Sequence, residues 1–165
     1  MNEADRILVF TLDGQRYGLH LSVVEKIISL VDITRLPESS IVVQGVINMH
    51  GNIIPVLDLR ALFGLPAREP ELSDRLIIAR TSDRPVAFHA DTVAGVVLCP
   101  EGAMVSSDSI LTERSSLEGI AVIEDGMVLI TDLDRFLTIE QKAFLALPLS
   151  YAGGPEPPPP EQKKV

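Results

Sequence analysis

Apolar residues run through this chain in short blocks punctuated by Gly, Pro and Asp, and the blocks barely alternate with polar positions. The clearest block is GVINMHGNIIPVLDLRALFGL, residues 45–65. A glycine opens it, an apolar run follows, and His50-Gly51-Asn52 marks a turn. Ile53-Ile54-Pro55-Val56-Leu57 then resumes the apolar run, which closes on Asp58-Leu59-Arg60. Two β-rich runs about a Gly-Asn turn predict a hairpin, because glycine reaches positive φ without steric cost. Runs that do not alternate predict strands covered on both faces. The stretch reads as the centre of a fold.

The flanking pattern supplies more strands. Arg6 to Leu12 is a strand, Asp13-Gly14 a hairpin turn, and Arg16 to Leu21 its return. Residues 22–28 predict a turn or helical corner leading into a strand. Val31 to Leu36 predicts another strand, ended by Pro37, which has no backbone donor. After a polar, proline-bearing link at 62–72 the pattern restarts with Arg75 to Arg80, a turn, and Pro85 to His89. Asp91 to Val97 then stands where Ser22 to Ile28 stood. The run GIAVIEDGMVLITDLDRFL at 119–137 repeats the first hairpin, with an initial glycine, a central glycine and a closing Asp-Leu.

Residues 6–66 and 74–138 therefore read as two copies of one β-unit. About five strands per copy suits a small SH3-like or OB-like barrel, and two such lobes side by side would share an apolar seam. Ile139, Ala143, Phe144 and Leu147 fall on one helical face, which predicts a terminal helix over 138–147 docked on a lobe. The domain then spans 1–149, and the proline-rich segment 150–165 predicts a disordered or polyproline II tail.

Composition narrows the function. At 165 residues the chain can hold one domain without staples, burying roughly 68–70% of its unfolded surface. The net charge of −9 and the absence of Trp argue against a nucleic-acid platform, since phosphate backbones call for a basic face. The single cysteine, Cys99, fits a reducing compartment and reads as a small buried hydrophobe. The N-terminal residues lack a signal-peptide pattern, and no apolar run reaches the roughly 20 residues of a membrane span, so a cytoplasmic location is expected.

Candidate chemistry is sparse. His20 and His89 occupy equivalent places in the two copies, which suggests a structural role, and no Cys/His cluster points to metal. Asp58 and Asp132, one per copy, would suit the proton-sharing dyad of an acid hydrolase. Each precedes a leucine at the start of a helix-like run, so capping of the helix N-terminus explains both. No nucleophile motif or phosphate loop is present in the sequence.

With LVFTLDGQRYGLHL (8–21), VDITRLP (31–37), GVINMHGNIIPVLDLRALFG (45–64), FHADTVAGVV (88–97) and the 119–137 close, the chain resembles the CheW family of chemotaxis adaptors. The resemblance covers about residues 6–147. It implies a mainly β fold of two SH3-like five-stranded β-barrel lobes sharing a hydrophobic core, with no catalysis and no cofactor. It also implies two partners: the regulatory domain of a CheA-type histidine kinase, and the cytoplasmic tip of a chemoreceptor. An isolated monomer recruited to receptor arrays, with no nucleic acid and no membrane insertion, completes that picture. The matching interface positions are Val24, Lys26, Ile33, Asn48, Met49, His50 and Gly51.

Two positions depart from the family pattern. Relatives commonly carry Asn-Leu-Arg-Gly where this chain has Asn48-Met49-His50-Gly51, and often a Glu near the place of Lys26. An imidazole offers fewer donors than a guanidinium and changes charge near neutral pH, so the departure points to a retuned partner contact. Drift at an exposed ion pair worth about 0–1 kcal/mol is the alternative. A register that turns Glu25 toward His50 also stays open. The runner-up functions are an adaptor of a pilus-motility or non-motility pathway and, remotely, the acid hydrolase.

Overall fold

Most of the apolar blocks form strands, but the two copies of the β-unit exchange strands. The structure is a computed structural model that describes residues 6–35, 43–82, 84–100, 103–106, 117–123 and 126–136. The first copy holds β1 (Arg6–Leu12), β2 (Gln15–His20), a 3-10 turn (Leu21–Val23), β3 (Val24–Ser29), β4 (Val43–Met49), β5 (Asn52–Leu57) and helix α1 (Leu59–Phe63). The second holds β6 (Arg75–Arg80), β7 (Pro85–Ala90), β8 (Thr92–Leu98), β9 (Met104–Ser106), β10 (Leu117–Ile123), β11 (Gly126–Thr131) and helix α2 (Leu133–Phe136). The terminal helix expected at 138–147 and the tail lie outside the described residues.

One sheet runs β8-β1-β2-β11-β10-β9 and the other β3-β6-β7-β5-β4. The copies at 6–66 and 74–138 are thus not the two sheets. Each copy's first hairpin sits between strands of the other copy, joined by short parallel ladders, Tyr17↔Leu129 with Gly18↔Ile130 and Val56↔Ala87 with Leu57↔Phe88. Non-alternating strands account for the exchange. A run apolar on both faces needs neighbours on both edges and cover on both sides, and insertion into the partner sheet supplies both.

The packing follows. Ile7 and Val9 of β1 enter one sheet's interior with Ala121, Val128 and Ile130. Ile47, Ile54, Val56, Leu76, Ile78 and Ala87 fill the other interior. Leu8, Phe10 and Leu12, on the opposite face of β1, meet Phe88, Ile77, Leu57 and Leu133 in a core shared by both sheets. The edge strands β3 and β8 are exposed or alternating, whereas β4, at the other edge of its sheet, stays largely buried. Pro55 sits in β5 without breaking the sheet, because the ladder to β7 begins one residue later, at Val56.

The opening glycine of each repeat has a steric cause. A Cβ at Gly45 would collide with the Thr34 carbonyl oxygen, and one at Gly119 would meet the Val105 carbonyl oxygen at 2.5 Å. Of the strand expected over Val31 to Leu36, the described residues 31–35 form one bridge, in which Thr34 and Val46 exchange two backbone hydrogen bonds of 2.8 Å. Val31 and Asp32 are exposed, so this segment lacks the two-sided burial that holds the other runs extended.

Candidate partner-binding surface

The β4–β5 hairpin carries the largest group of interface candidates. His50 and Gly51 both have positive φ, 54° and 90°, in a two-residue loop closed by the Met49↔Asn52 pair. That is the type I′ geometry whose twist matches the flanking strands. Asn48 fixes the tip by accepting the Gly51 N–H on Oδ1 at 2.8 Å. Asn48, His50 and Gly51 are exposed, while Met49 turns inward onto the β4–β7 interior.

Ile33 packs against that same interior, so Met49 and Ile33 are half core. Val24 packs on the shared core. Lys26 is exposed on β3, opposite Ile78. No ladder joins β3 to β4, which stand at opposite ends of the sheet order; among the described residues the backbone after β3 pairs with β4 at the Thr34–Val46 bridge. The seven candidates thus fall into a compact tip, Asn48 to Gly51 backed by Ile33, and a separate pair on β3.

Glu25 pairs with Arg80, at 2.9 Å from Nε, and not with His50. The β3–β6 register slips between Val24 and Lys26, a bulge that turns Glu25 toward the neighbouring strand. Asp58 Oδ1 accepts the Ala61 N–H at 3.1 Å and Asp132 Oδ1 accepts the Asp134 N–H at 3.0 Å. Each aspartate therefore caps its own helical turn, as its Asp-Leu context predicts.

A second constellation escaped the sequence reading. It lies beside a cleft of about 560 Å³ walled by α1, the 65–74 link and the end of β7. Arg68 Nη2 bridges Asp74 Oδ1 at 2.9 Å and Asp91 Oδ1 at 2.6 Å. Arg60 Nη2 reaches Asp91 Oδ2 at 2.6 Å, and His89 Nε2 reaches Asp74 Oδ2 at 2.8 Å. Burial by itself would raise the pKa of Asp74, but hydrogen bonds from Arg68, the Glu71 N–H and His89 outweigh it and hold the carboxyl below its usual range. Asp91 is held low in the same way, against burial, by the Asp13 N–H, Arg68 and Arg60. Arg68 is pushed up chiefly by its bonds to Asp74 and Asp91. Arg60 stands in the sequence only as the end of the Asp58-Leu59-Arg60 close, and neither Arg68 nor Asp74 carries a signal there.

Among the described residues no group of His, Cys, Asp and Glu is placed to hold a metal ion, and no helix is long and apolar enough to cross a membrane. Against known proteins, the profile of the CheW-like domain matches residues 6–141. The chain belongs to the CheW-like domain family. Among its relatives, the chemotaxis protein CheW of Thermotoga maritima is 30% identical over 131 residues, covering 79% of this chain and 86% of that one. The CheW of Rhizobium meliloti is 26% identical, covering 86% and 92%. The crystal structure of the scaffolding protein TtCheW from Thermoanaerobacter tengcongensis superposes with a TM-score of 0.77 at 30% identity, covering 84% of this chain and 95% of that one. The mainly β, two-sheet architecture of this CheW-like chain is accordingly that of its solved relative.

Proposed function

We propose that this CheW-like chain is a non-catalytic chemotaxis adaptor that couples chemoreceptors to a CheA-type histidine kinase. The carrying observation is the family match across residues 6–141, supported by similarity to a protein described as a scaffold. The adaptor works by contact. Its exposed tip, Asn48, His50 and Gly51, with Met49 and Ile33 behind it, supplies one surface, and Val24 and Lys26 supply a second on β3. The kinase regulatory domain and the receptor tip are the two partners, met in the cytoplasm at receptor arrays.

The capping roles of Asp58 and Asp132 support this reading over acid hydrolysis, because each carboxylate is committed to its own helix. The His50 and Lys26 departures favour a second reading within the adaptor class, in which the pathway served is a divergent one, pilus-based or outside motility. The test is titration calorimetry of the purified chain against the regulatory domain of each CheA-type kinase of the host. Binding to one of them is the expected result, and binding to none overturns the adaptor reading. Which kinase binds decides between the two pathways.

A further inference from the structure

The link between the two copies carries one large aliphatic side chain that the fold leaves outside. Leu62, Phe63 and Leu65 pack against the shared core. Leu72, by contrast, is 98% exposed, well beyond the next large apolar side chain among the described residues, Met127 at 60%. A single exposed leucine is ordinary on a protein surface. The backbone that carries this one is not ordinary. The Asp74 N–H donates to the Glu71 carbonyl at 3.0 Å, and the Glu71 N–H donates to Asp74 Oδ2 at 2.9 Å, closing the turn twice. Arg75 Nη1 donates to the carbonyls of Leu72, Ser73 and Asp74 at 3.3, 3.1 and 2.9 Å. Asp74 is anchored beneath by Arg68 and His89.

A turn held at this many points loses little conformational freedom when something binds it, which is the advantage of a preorganised contact. Its surroundings give the partner's chemistry. Glu69 is exposed beside it, and the Glu71 side chain stays 65% exposed even while touching Arg68 at 3.3 Å. Arg68 is bridged to Asp74 and Asp91, and Arg75 is turned back onto the carbonyls of residues 72–74, which leaves the carboxylates of Glu69 and Glu71 as the charges presented beside the leucine. We propose that the Glu71–Asp74 turn is a built contact element that seats Leu72 in a leucine-sized apolar pocket, rimmed by basic side chains, on a protein partner. This contact lies on a different element from the Asn48–Gly51 tip and stands whether or not the tip binds a kinase.

Photo-crosslinking in the host, with a benzophenone amino acid at position 72 of the full chain, names the partner. The same probe at Leu98, which is 52% exposed on β8, is the control. The expected result is one adduct specific to position 72, whose crosslinked peptide joins apolar residues to Lys or Arg. With that partner purified, Leu72→Ser should weaken binding at least tenfold at an unchanged melting temperature. Arg75→Gln, which loosens the turn but keeps the leucine, should weaken it several-fold, with recovery in Arg75→Lys. No adduct beyond the Leu98 control overturns the proposal. So does a partner that binds Leu72→Ser within twofold of the unaltered chain, or one that is indifferent to Arg75→Gln.

Discussion

The β4–β5 and β10–β11 hairpins are the same element 74 positions apart, and they agree inside while differing outside. Inward positions stay apolar in both: Ile47 against Ala121, Ile54 against Val128, Val56 against Ile130, Leu59 against Leu133. Outward, the cross-strand pair Asn48↔Ile53 in one hairpin stands where Val122↔Met127 stands in the other. Val122 and Met127 are 52% and 60% exposed, so one hairpin offers water a polar tip and the other an apolar patch. Packing constrains the buried half of a repeat; nothing comparable constrains the exposed half. The two hairpins are equivalent as scaffold and unlike as surface, so the adaptor's contacts need not be duplicated.

If the scaffold halves are one unit, damage to the seam should unfold both. Phe88 is fully buried in the shared core, its ring tilted at 52° to that of Phe10 with centroids 5.2 Å apart. Phe88→Ala should cost about 3–5 kcal/mol, through lost transfer energy and the cavity left behind. Urea unfolding should remain a single transition, because the interleaved sheets cannot melt separately. Two resolved transitions would break the equivalence.

Next in size is the network on the link. Removing one partner of a buried pair costs about 3–5 kcal/mol, and Arg68→Ala should fall toward or below the lower end because Arg68 is 24% exposed. The loss has a pH signature. Asp74 and Asp91 have lowered folded-state pKa values, so the stability they contribute is present above the unfolded value of about 3.9 and is lost as pH falls through the folded values. Melting temperatures between pH 6 and 2.5 should therefore fall less steeply for Arg68→Ala than for the parent. Parallel curves would show that Arg68 does not hold those carboxylates down. At the equivalent histidine, His20 Nε2 lies 2.9 Å from Glu118, whose side chain is 37% exposed, so Glu118→Gln should change stability by no more than about 1 kcal/mol.

These two regions also mark how far the sequence was legible. The repeat was, because its signals are local: a glycine under a carbonyl at 45 and 119, an Asp-Leu cap at 58 and 132, and runs too uniformly apolar to face water. The exchange of strands was not, since both parallel ladders join residues far apart in sequence that carry no mark of their partners. VDITRL looked like a strand because β-branched residues say nothing about whether a neighbour is at hand; among its described residues only Thr34 finds one. Arg68 sat in the polar link and Asp74 just past it, where charge normally means solvation. The tip was found through the family resemblance, which marks position 50 and does not reveal that Asn48 holds its turn.

Smaller effects test the paired caps. Asp58→Ala and Asp132→Ala should each cost about 1 kcal/mol, the ordinary worth of an N-cap, measured by urea unfolding. Similar losses keep the two hairpins equivalent. A loss well above 2 kcal/mol at one of them would assign that carboxylate a further role.

The smallest stability effect and the largest functional contrast should come from the tip itself. His50 and Lys26 are exposed, so His50→Arg with Lys26→Glu should change stability by no more than about 0.5 kcal/mol. A guanidinium at position 50 adds donors that an imidazole lacks, and a type I′ loop already fixed by Asn48 presents them without reshaping the hairpin. Affinity for a kinase or receptor fragment should therefore shift several-fold in the double variant. Val122→Asn with Met127→Ile, which gives the second hairpin the outward pair of the first, should leave that same affinity alone. If the first variant changes nothing and the second does, the apolar hairpin carries the contact, and the histidine at the tip is drift.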